Sequence, residues 1–159
     1  MAEDLSSAEM AAWRPFITAA THVIGALDAE MKAAFGISHF DHALLLMLLG
    51  RPRRRARMSD IARTAGVDPS NITYRVRRLE RLGLVDRVPD PSDRRVSYAH
   101  LTRRGLVLLR DAWPTHRQGI RRHFLDHVSP EQLPVLAQAF NSILGAQQPG
   151  PRPAARSGV

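Results

Sequence analysis

The sequence predicts a mainly α-helical chain with a small β hairpin, a wing, set between helices. Three observations carry that expectation. Apolar residues recur at three- and four-residue spacing along most of the 159 residues, which is the period of an amphipathic helix. Between Leu84 and Leu101 that rhythm gives way to two short runs, "LVDRV" and "VSYAHL", joined by the turn formers of "PDPSDRR". Capping residues and glycines mark the changes of element.

From Trp13 the apolar positions Phe16, Ile17, Ala20, Ile24, Leu27, Met31 and Phe35 predict one long helix stopped by Gly36, with Pro15 near its first turn or kinking it. Ser38 is suited to cap a second helix, "HFDHALLLMLLG", which is apolar on most faces and therefore buried. Arg51 to Arg57 reads as a loop, and a short third helix follows from about Ser59 to Ala65, ending at Gly66. Asp68 as cap and Pro69 at the first helical position open a fourth helix whose inward stripe is Ile72, Val76, Leu79 and Leu82. After the hairpin a fifth helix begins at Thr102 and carries Leu106, Leu109 and Trp113 on one face, with Pro114 expected to bend or break it. The last helix opens with the capping pattern "SPEQ" at Ser129 to Gln132 and carries Leu133, Leu136, Ala137, Phe140 and Leu144. The tail "PGPRPAARSGV" predicts disorder.

Composition limits the function. A hydrophobic fraction of 44% is enough for one domain with a core, and no stretch is long and uncharged enough to cross a bilayer. The acidic start "MAEDLSSAEM" lacks the pattern of a secretory signal, so a cytoplasmic protein is expected. The absence of cysteine excludes disulfides, thiolate metal ligands and thiol redox switching. The net charge of +8 is unevenly placed: Arg51 to Arg122 holds 19 Arg against 7 acidic residues, and the remainder holds 4 basic against 8 acidic. A basic segment built on arginine suits phosphate and guanine contacts, although a solvated basic surface has the same composition.

Two short helices joined by a Gly-containing turn and followed by a hairpin make a winged helix-turn-helix. Its second helix enters the DNA major groove, which is about 12 Å wide and displays base-edge donors and acceptors. The residues expected to reach bases and phosphates are Ser70, Asn71, Thr73, Tyr74, Arg75 and Arg78, with Arg94 and Arg95 at the wing tip on the backbone or minor groove. No nucleophile with a base, acid pair or phosphate-cradling Gly loop stands out, so no enzyme and no cofactor are expected.

The stretches "MSDIARTAGVDPSNITYRVRRLERLGLVDR" and "DPSDRRVSYAHLTRRG", with Asp93, Arg94, Arg95, Leu101, Thr102 and Gly105 in place, resemble the MarR-type transcription regulators. The resemblance runs from Trp13 to about Gly145. It implies a homodimer with intertwined N- and C-terminal helices that represses genes from a palindromic operator and often releases it on binding a small ligand. On that basis the expected organisation is one domain over 1–159, with a dimerisation region at 10–37 and 103–147, a winged helix-turn-helix at 38–102, and a tail at 148–159. The chain has His42 where many relatives carry an aromatic residue, and its "RPRRRARM" loop holds more Arg than usual.

Geometry and resemblance together place Trp13, Phe16, His39 and His42 at a cleft suited to a small aromatic anion. The rival is a zinc-responsive regulator. His123 and His127, four residues apart on a helix, form a workable metal pair, and His39, His42 or His116 is available as a third ligand. A histidine in a cleft is more often only that, so no metal site is assigned.

Overall fold

The computed structural model describes residues 4–93 and 96–147. In chain order the elements are α1 (Ser7–Phe35), α2 (His39–Leu49), a 3-10 turn (Pro52–Arg54), β1 (Arg55–Arg57), α3 (Met58–Ala65), α4 (Pro69–Arg81), β2 (Val85–Pro89), β3 (Ser97–Leu101), α5 (Arg103–His123), a second 3-10 turn (Leu125–His127) and α6 (Gln132–Gln147). The mainly helical fold with a wing is as the sequence predicts.

Several boundaries differ, each for a local reason. α1 starts six residues before Trp13 because Ser6 and Glu9 form a capping box, Ser6 N–H donating to the Glu9 carboxylate at 2.7 Å and Glu9 N–H to Ser6 Oγ at 3.2 Å. Pro15 and Pro114 both lie inside continuous helices. Each removes one backbone donor, but Ala11 and Arg110, whose carbonyls lose that partner, are exposed and open to water. α3 begins at Met58, with Arg57 rather than Ser59 in the cap position.

The larger correction concerns Arg51 to Arg57. Its second half is a strand, β1, which pairs antiparallel with β3 in the register Arg55↔His100, Ala56↔Ala99 and Arg57↔Tyr98. The sheet is therefore three-stranded, in the order β1-β3-β2, rather than a hairpin alone. A three-residue strand with one apolar residue has no readable alternation; only Ala56, seated in the core, marks it.

One core unites the helix-turn-helix, the sheet and the start of α5. Leu44, Leu45 and Leu48 of α2, Ile61 of α3, Ile72, Val76 and Leu79 of α4, Val85, Ala99 and Leu101 of the sheet and Leu109 of α5 are all buried together. Each large aliphatic side chain there contributes about 1.5–3 kcal/mol relative to exposure. α5 presses on the sheet where Gly105 sits, so closely that a Cβ there would lie 2.4 Å from the Leu84 carbonyl oxygen. The outer helices are different: Trp13, Ile17 and Ile24 of α1 and Val135, Ile143 and Leu144 of α6 remain exposed.

Candidate nucleic-acid interface

The α3 to α4 corner is made by Gly66, whose φ of +63° is the left-handed conformation that ends α3. Asp68 and Pro69 then start α4. On α4 the core stripe Ile72, Val76 and Leu79 fixes what the other faces do. At about 100° per residue, Ser70, Thr73, Tyr74 and Arg77 lie opposite that stripe, and Asn71, Arg75 and Arg78 lie on the flank towards α2.

The two faces have different chemistry. Tyr74 is 66% exposed, and Ser70 and Arg77 are also exposed. Thr73 donates its hydroxyl to the Pro69 carbonyl at 2.9 Å, leaving its methyl and oxygen lone pairs at the helix surface. Arg77 makes no ion pair with a described residue. On the flank, Arg75 Nε donates to Asn71 Oδ1 at 2.9 Å, its Nη1 reaches Ser38 Oγ at 3.3 Å and Asp41 Oδ1 at 3.4 Å, and its guanidinium lies 4.3 Å over the Phe40 ring. Arg78 pairs with the other oxygen of Asp41 and donates to the Gly36 carbonyl at 2.8 Å. Asp41 is fully buried and also completes the capping box of α2, accepting from Ser38 N–H at 3.1 Å. One carboxylate thus joins the start of α2 to two turns of α4.

Beside α4 runs an open groove of about 730 Å³ whose walls include Ser59 and Arg63 of α3, Thr73 of α4, Arg57, and Val96 and Ser97 of the wing. The wing is braced at Asp90, which accepts from the Ser92 hydroxyl at 2.5 Å, from Ser92 N–H at 2.8 Å and from the Tyr98 hydroxyl at 3.1 Å. Those bonds, the Ser92 hydroxyl foremost, hold the Asp90 carboxyl down at about 2. Arg94 and Arg95 lie outside the described residues.

The four residues expected around a ligand divide into two groups. His39 and His42 meet His116 of α5, with ring centroids 5.3 Å and 4.4 Å apart, and Trp113 borders His116 at 6.1 Å. Trp13 instead meets Phe16, with ring centroids 5.9 Å apart, and Phe16 meets Phe140 of α6 at 6.0 Å. His39 N–H donates to Asp28 of α1 at 2.9 Å, and Trp13 lies fifteen residues before Asp28 on the same helix, roughly 22 Å along its axis. A single chain does not gather the four.

His42 is fully buried and His116 7% exposed, and neither ring nitrogen of either has a protein hydrogen-bond partner. Burial, followed by repulsion from the neighbouring imidazoles, lowers the His42 pKa to about 4; burial also lowers His39 and His116. All three are neutral at pH 7. Asp28, which also pairs with Lys32 at 2.6 Å, faces His39 from α1. The other histidine pair is divided: His123 Nε2 lies 2.7 Å from Glu30 Oε1, which Arg122 also contacts at 2.9 Å, and His127 Nε2 faces the Arg122 carbonyl at 3.0 Å. Among the described residues no three His, Asp or Glu side chains are arranged to hold a metal ion.

Residues 35–96, from the end of α1 to just before β3, match the MarR family model. Over nearly the whole chain the fold superposes on Sco3205 of Streptomyces coelicolor, a MarR family transcriptional regulator whose structure is in complex with DNA; identity is 34%, the TM-score is 0.87, and 94% of each chain is covered. The chain belongs to the MarR family. AbsC, a MarR family regulator of the same organism, is 32% identical with a TM-score of 0.82, covering 91% of this chain and 97% of AbsC. In Bacillus subtilis the uncharacterized helix-turn-helix regulator YkoM is 42% identical over 62 residues, which cover 39% of this chain and 40% of YkoM. The chain spans about half or less of the length of the curated relatives it matches. MarR membership places it among transcriptional regulators rather than enzymes.

Two residues stand outside the sites expected from the sequence. Arg77 was legible, because it falls seven residues after Ser70 and three after Tyr74, on the face opposite the core. His116 was named only as a possible third metal ligand, since nothing local relates position 116 to positions 39 and 42.

Proposed function

We propose that this chain is a sequence-specific DNA-binding regulator that acts in the cytoplasm as a homodimer on a pseudo-palindromic operator. The observation that carries this reading is the outward face of α4, Ser70, Thr73, Tyr74 and Arg77, set beside an open groove within the strongly basic part of the chain. Likeness to Sco3205 in its DNA complex supports the same docking. Base edges are read by Ser70, Asn71, Thr73, Tyr74 and Arg77; Arg94 and Arg95 meet phosphates or the minor groove. Arg75 and Arg78 act mainly by holding α4 against Asp41, so that the helix is presented at a fixed angle. Footprinting of the purified protein on the DNA upstream of its own gene tests the reading, with protection of a two-fold site as the expected result. Equal affinity for that DNA and for random duplex at 150 mM salt would defeat it.

Regulation by a small aromatic anion extends this proposal. Neutral His39, His42 and His116 each carry one N–H donor that a carboxylate or enolate would accept, and Trp113 borders the cluster as an apolar wall. Trp13 and Phe16 are better placed for the dimer contact, with Phe140. A ligand among the histidines would act on the start of α2, whose Asp41 holds α4. Hundredfold tighter binding to the conformation that mis-spaces the reading helices corresponds to about 2.7 kcal/mol of coupling, enough for a repressor to release its operator. Titration calorimetry with salicylate-like anions, alongside zinc, separates this reading from a metal response; no effect of millimolar anion on DNA affinity would end it.

A further inference from the structure

We infer that the arginine loop preceding β1 is a second DNA-contacting surface that grips the sugar-phosphate backbone outside the half-site read by α4. The inference rests on the DNA-binding reading above and concerns residues that reading does not use.

Arg51, Arg53, Arg54, Arg55 and Arg57 are all exposed. Of the nearby acids, Asp60 is already taken by Arg63 at 2.6 Å, and Asp90 accepts from the Tyr98 hydroxyl at 3.1 Å and also attracts Arg57. Arg51 donates to the Thr64 hydroxyl at 3.3 Å. Arg55 and Arg57 converge on one ring, their guanidinium carbons 4.8 Å and 5.8 Å from the Tyr98 centroid, and Arg57 Nε donates to the Tyr98 hydroxyl at 3.1 Å. Two like charges held against one aromatic ring repel each other, and an anion reaching both offsets that repulsion. The side chains of Arg53 and Arg54 pair with no described residue.

The backbone supplies an independent observation. Arg53 and Arg54 both have φ of +54°, in the left-handed region that L-residues with a Cβ seldom adopt. Two consecutive residues there are strained, because each Cβ crowds the following carbonyl oxygen, and glycine would remove that strain. Arginine on an edge strand also discourages strand pairing between molecules. That purpose needs neither the strained turn nor charges ahead of the strand. Strain kept at two unpaired arginines is accounted for if their placement serves a contact.

Position identifies the partner. Arg51, Arg53, Arg55, Arg57 and Tyr98 line a hollow of about 370 Å³, and Arg57 also borders the groove between α3, α4 and the wing. The hollow therefore continues the reading groove around the sheet edge. A duplex seated on α4 that runs on past the wing meets this arginine row, and the guanidinium forks match phosphate oxygens.

The test uses the full chain and two duplexes sharing one footprinted core, the first trimmed to the core and the second extended by about one helical turn of arbitrary sequence on each side. The variant Arg53→Gly/Arg54→Gly removes two charges and relieves the backbone, so its thermal stability should equal or exceed that of the wild type. The wild type should bind the extended duplex about tenfold more tightly than the trimmed one at 150 mM salt, and the slope of log affinity against log salt should be steeper on the extended duplex. In the variant the preference should disappear, the slope on the extended duplex should fall by about 4, for two arginines on each of two protomers, and affinity for the trimmed core should be unchanged. An unchanged flank preference in the variant, or equal binding of both duplexes by the wild type, overturns the inference while leaving operator recognition intact. Failure to bind either duplex overturns the DNA-binding reading itself.

Discussion

Neighbouring arginines on one helix have opposite duties, and the difference lies in what surrounds them. Arg78 is held by buried Asp41 and the Gly36 carbonyl, whereas Arg77, one residue earlier, is turned outwards without an ionic partner among the described residues. Arg77→Ala should leave the urea midpoint within about 0.5 kcal/mol of wild type, weaken operator binding by about 1–3 kcal/mol and relax base preference at one position of each half-site. Arg78→Ala should instead destabilise the fold, by about 1–3 kcal/mol, because it strips a charge-assisted bond from a buried carboxylate. If Arg77→Ala proved the destabilising substitution, the division of α4 into two faces would be wrong. His42 gives a pH prediction of definite sign. Its pKa falls from 6.5 in the unfolded chain to about 4 in the fold, so above pH 6.5 both states are neutral and nothing is lost. As the pH drops from 6.5 towards 4, the unfolded chain takes up a proton that the folded chain refuses, and stability declines by up to about 3 kcal/mol. The lowered values of His39 and His116 act in the same direction. Chemical denaturation at pH 7.5, 6 and 5 measures this, and His42→Leu should flatten the profile; a wild-type midpoint independent of pH would contradict the buried, unpartnered imidazole.

At the level of elements, the wing and α5 depend on a close approach that only glycine permits. A Cβ at Gly105 would lie 2.4 Å from the Leu84 carbonyl oxygen and 2.6 Å from Leu101 Cδ1. The first of these is backbone immediately before β2, where it accepts from Thr102 N–H at 3.2 Å, and cannot turn aside. Gly105→Ala should therefore cost about 1–3 kcal/mol, and more than Gly119→Ala, where a Cβ would meet the movable ends of Glu30 and Leu27 at 2.7 Å. Thermal melts of the two variants rank the contacts, and a Gly105→Ala melt equal to wild type would refute the steric argument. Most elements were legible because their signals are local: the Ser38 cap, the Gly66 stop, the Asp68-Pro69 start and the turn residues between β2 and β3 each act within a few residues. β1 was not, because pairing with β3, more than forty positions away, makes it a strand. Pro114 does not break α5, and exposure of the freed Arg110 carbonyl, which weakens the penalty, is a property of the folded surface.

The whole molecule divides by charge and by apolar exposure. The basic segment forms the DNA-reading lobe, while α1 and α6 leave Trp13, Ile24, Val135, Ile143 and Leu144 uncovered. A helix that exposes such residues gains from a second copy of itself, because a stable dimer buries on the order of 800 Å² or more on each partner. Sedimentation at micromolar concentration should report a dimer, and Ile143→Asp/Leu144→Asp should shift it towards monomer and lower operator affinity by at least an order of magnitude, as one half-site is lost. A strictly monomeric wild type that still protects both half-sites would overturn the dimer reading. In the dimer the two α4 helices are expected about 34 Å apart, so inserting five base pairs between half-sites should abolish tight binding.

The sequence by itself determined the helical class, the helix-turn-helix, the wing, the basic reading segment and the family resemblance, because periodicity, caps, turns and charge are written in consecutive residues. It placed Ser70, Thr73, Tyr74 and Arg77 on an outward face for the same reason. Tertiary structure alone decided that Arg75 and Arg78 converge on Asp41, that His116 meets His39 and His42, that Trp13 and Phe16 stand with Phe140 instead, and that the arginine loop leads into an edge strand beside Tyr98. Each of those contacts joins positions dozens of residues apart. Such neighbours are set by how helices and strands pack around a shared core, a relation that no local spacing in the chain encodes.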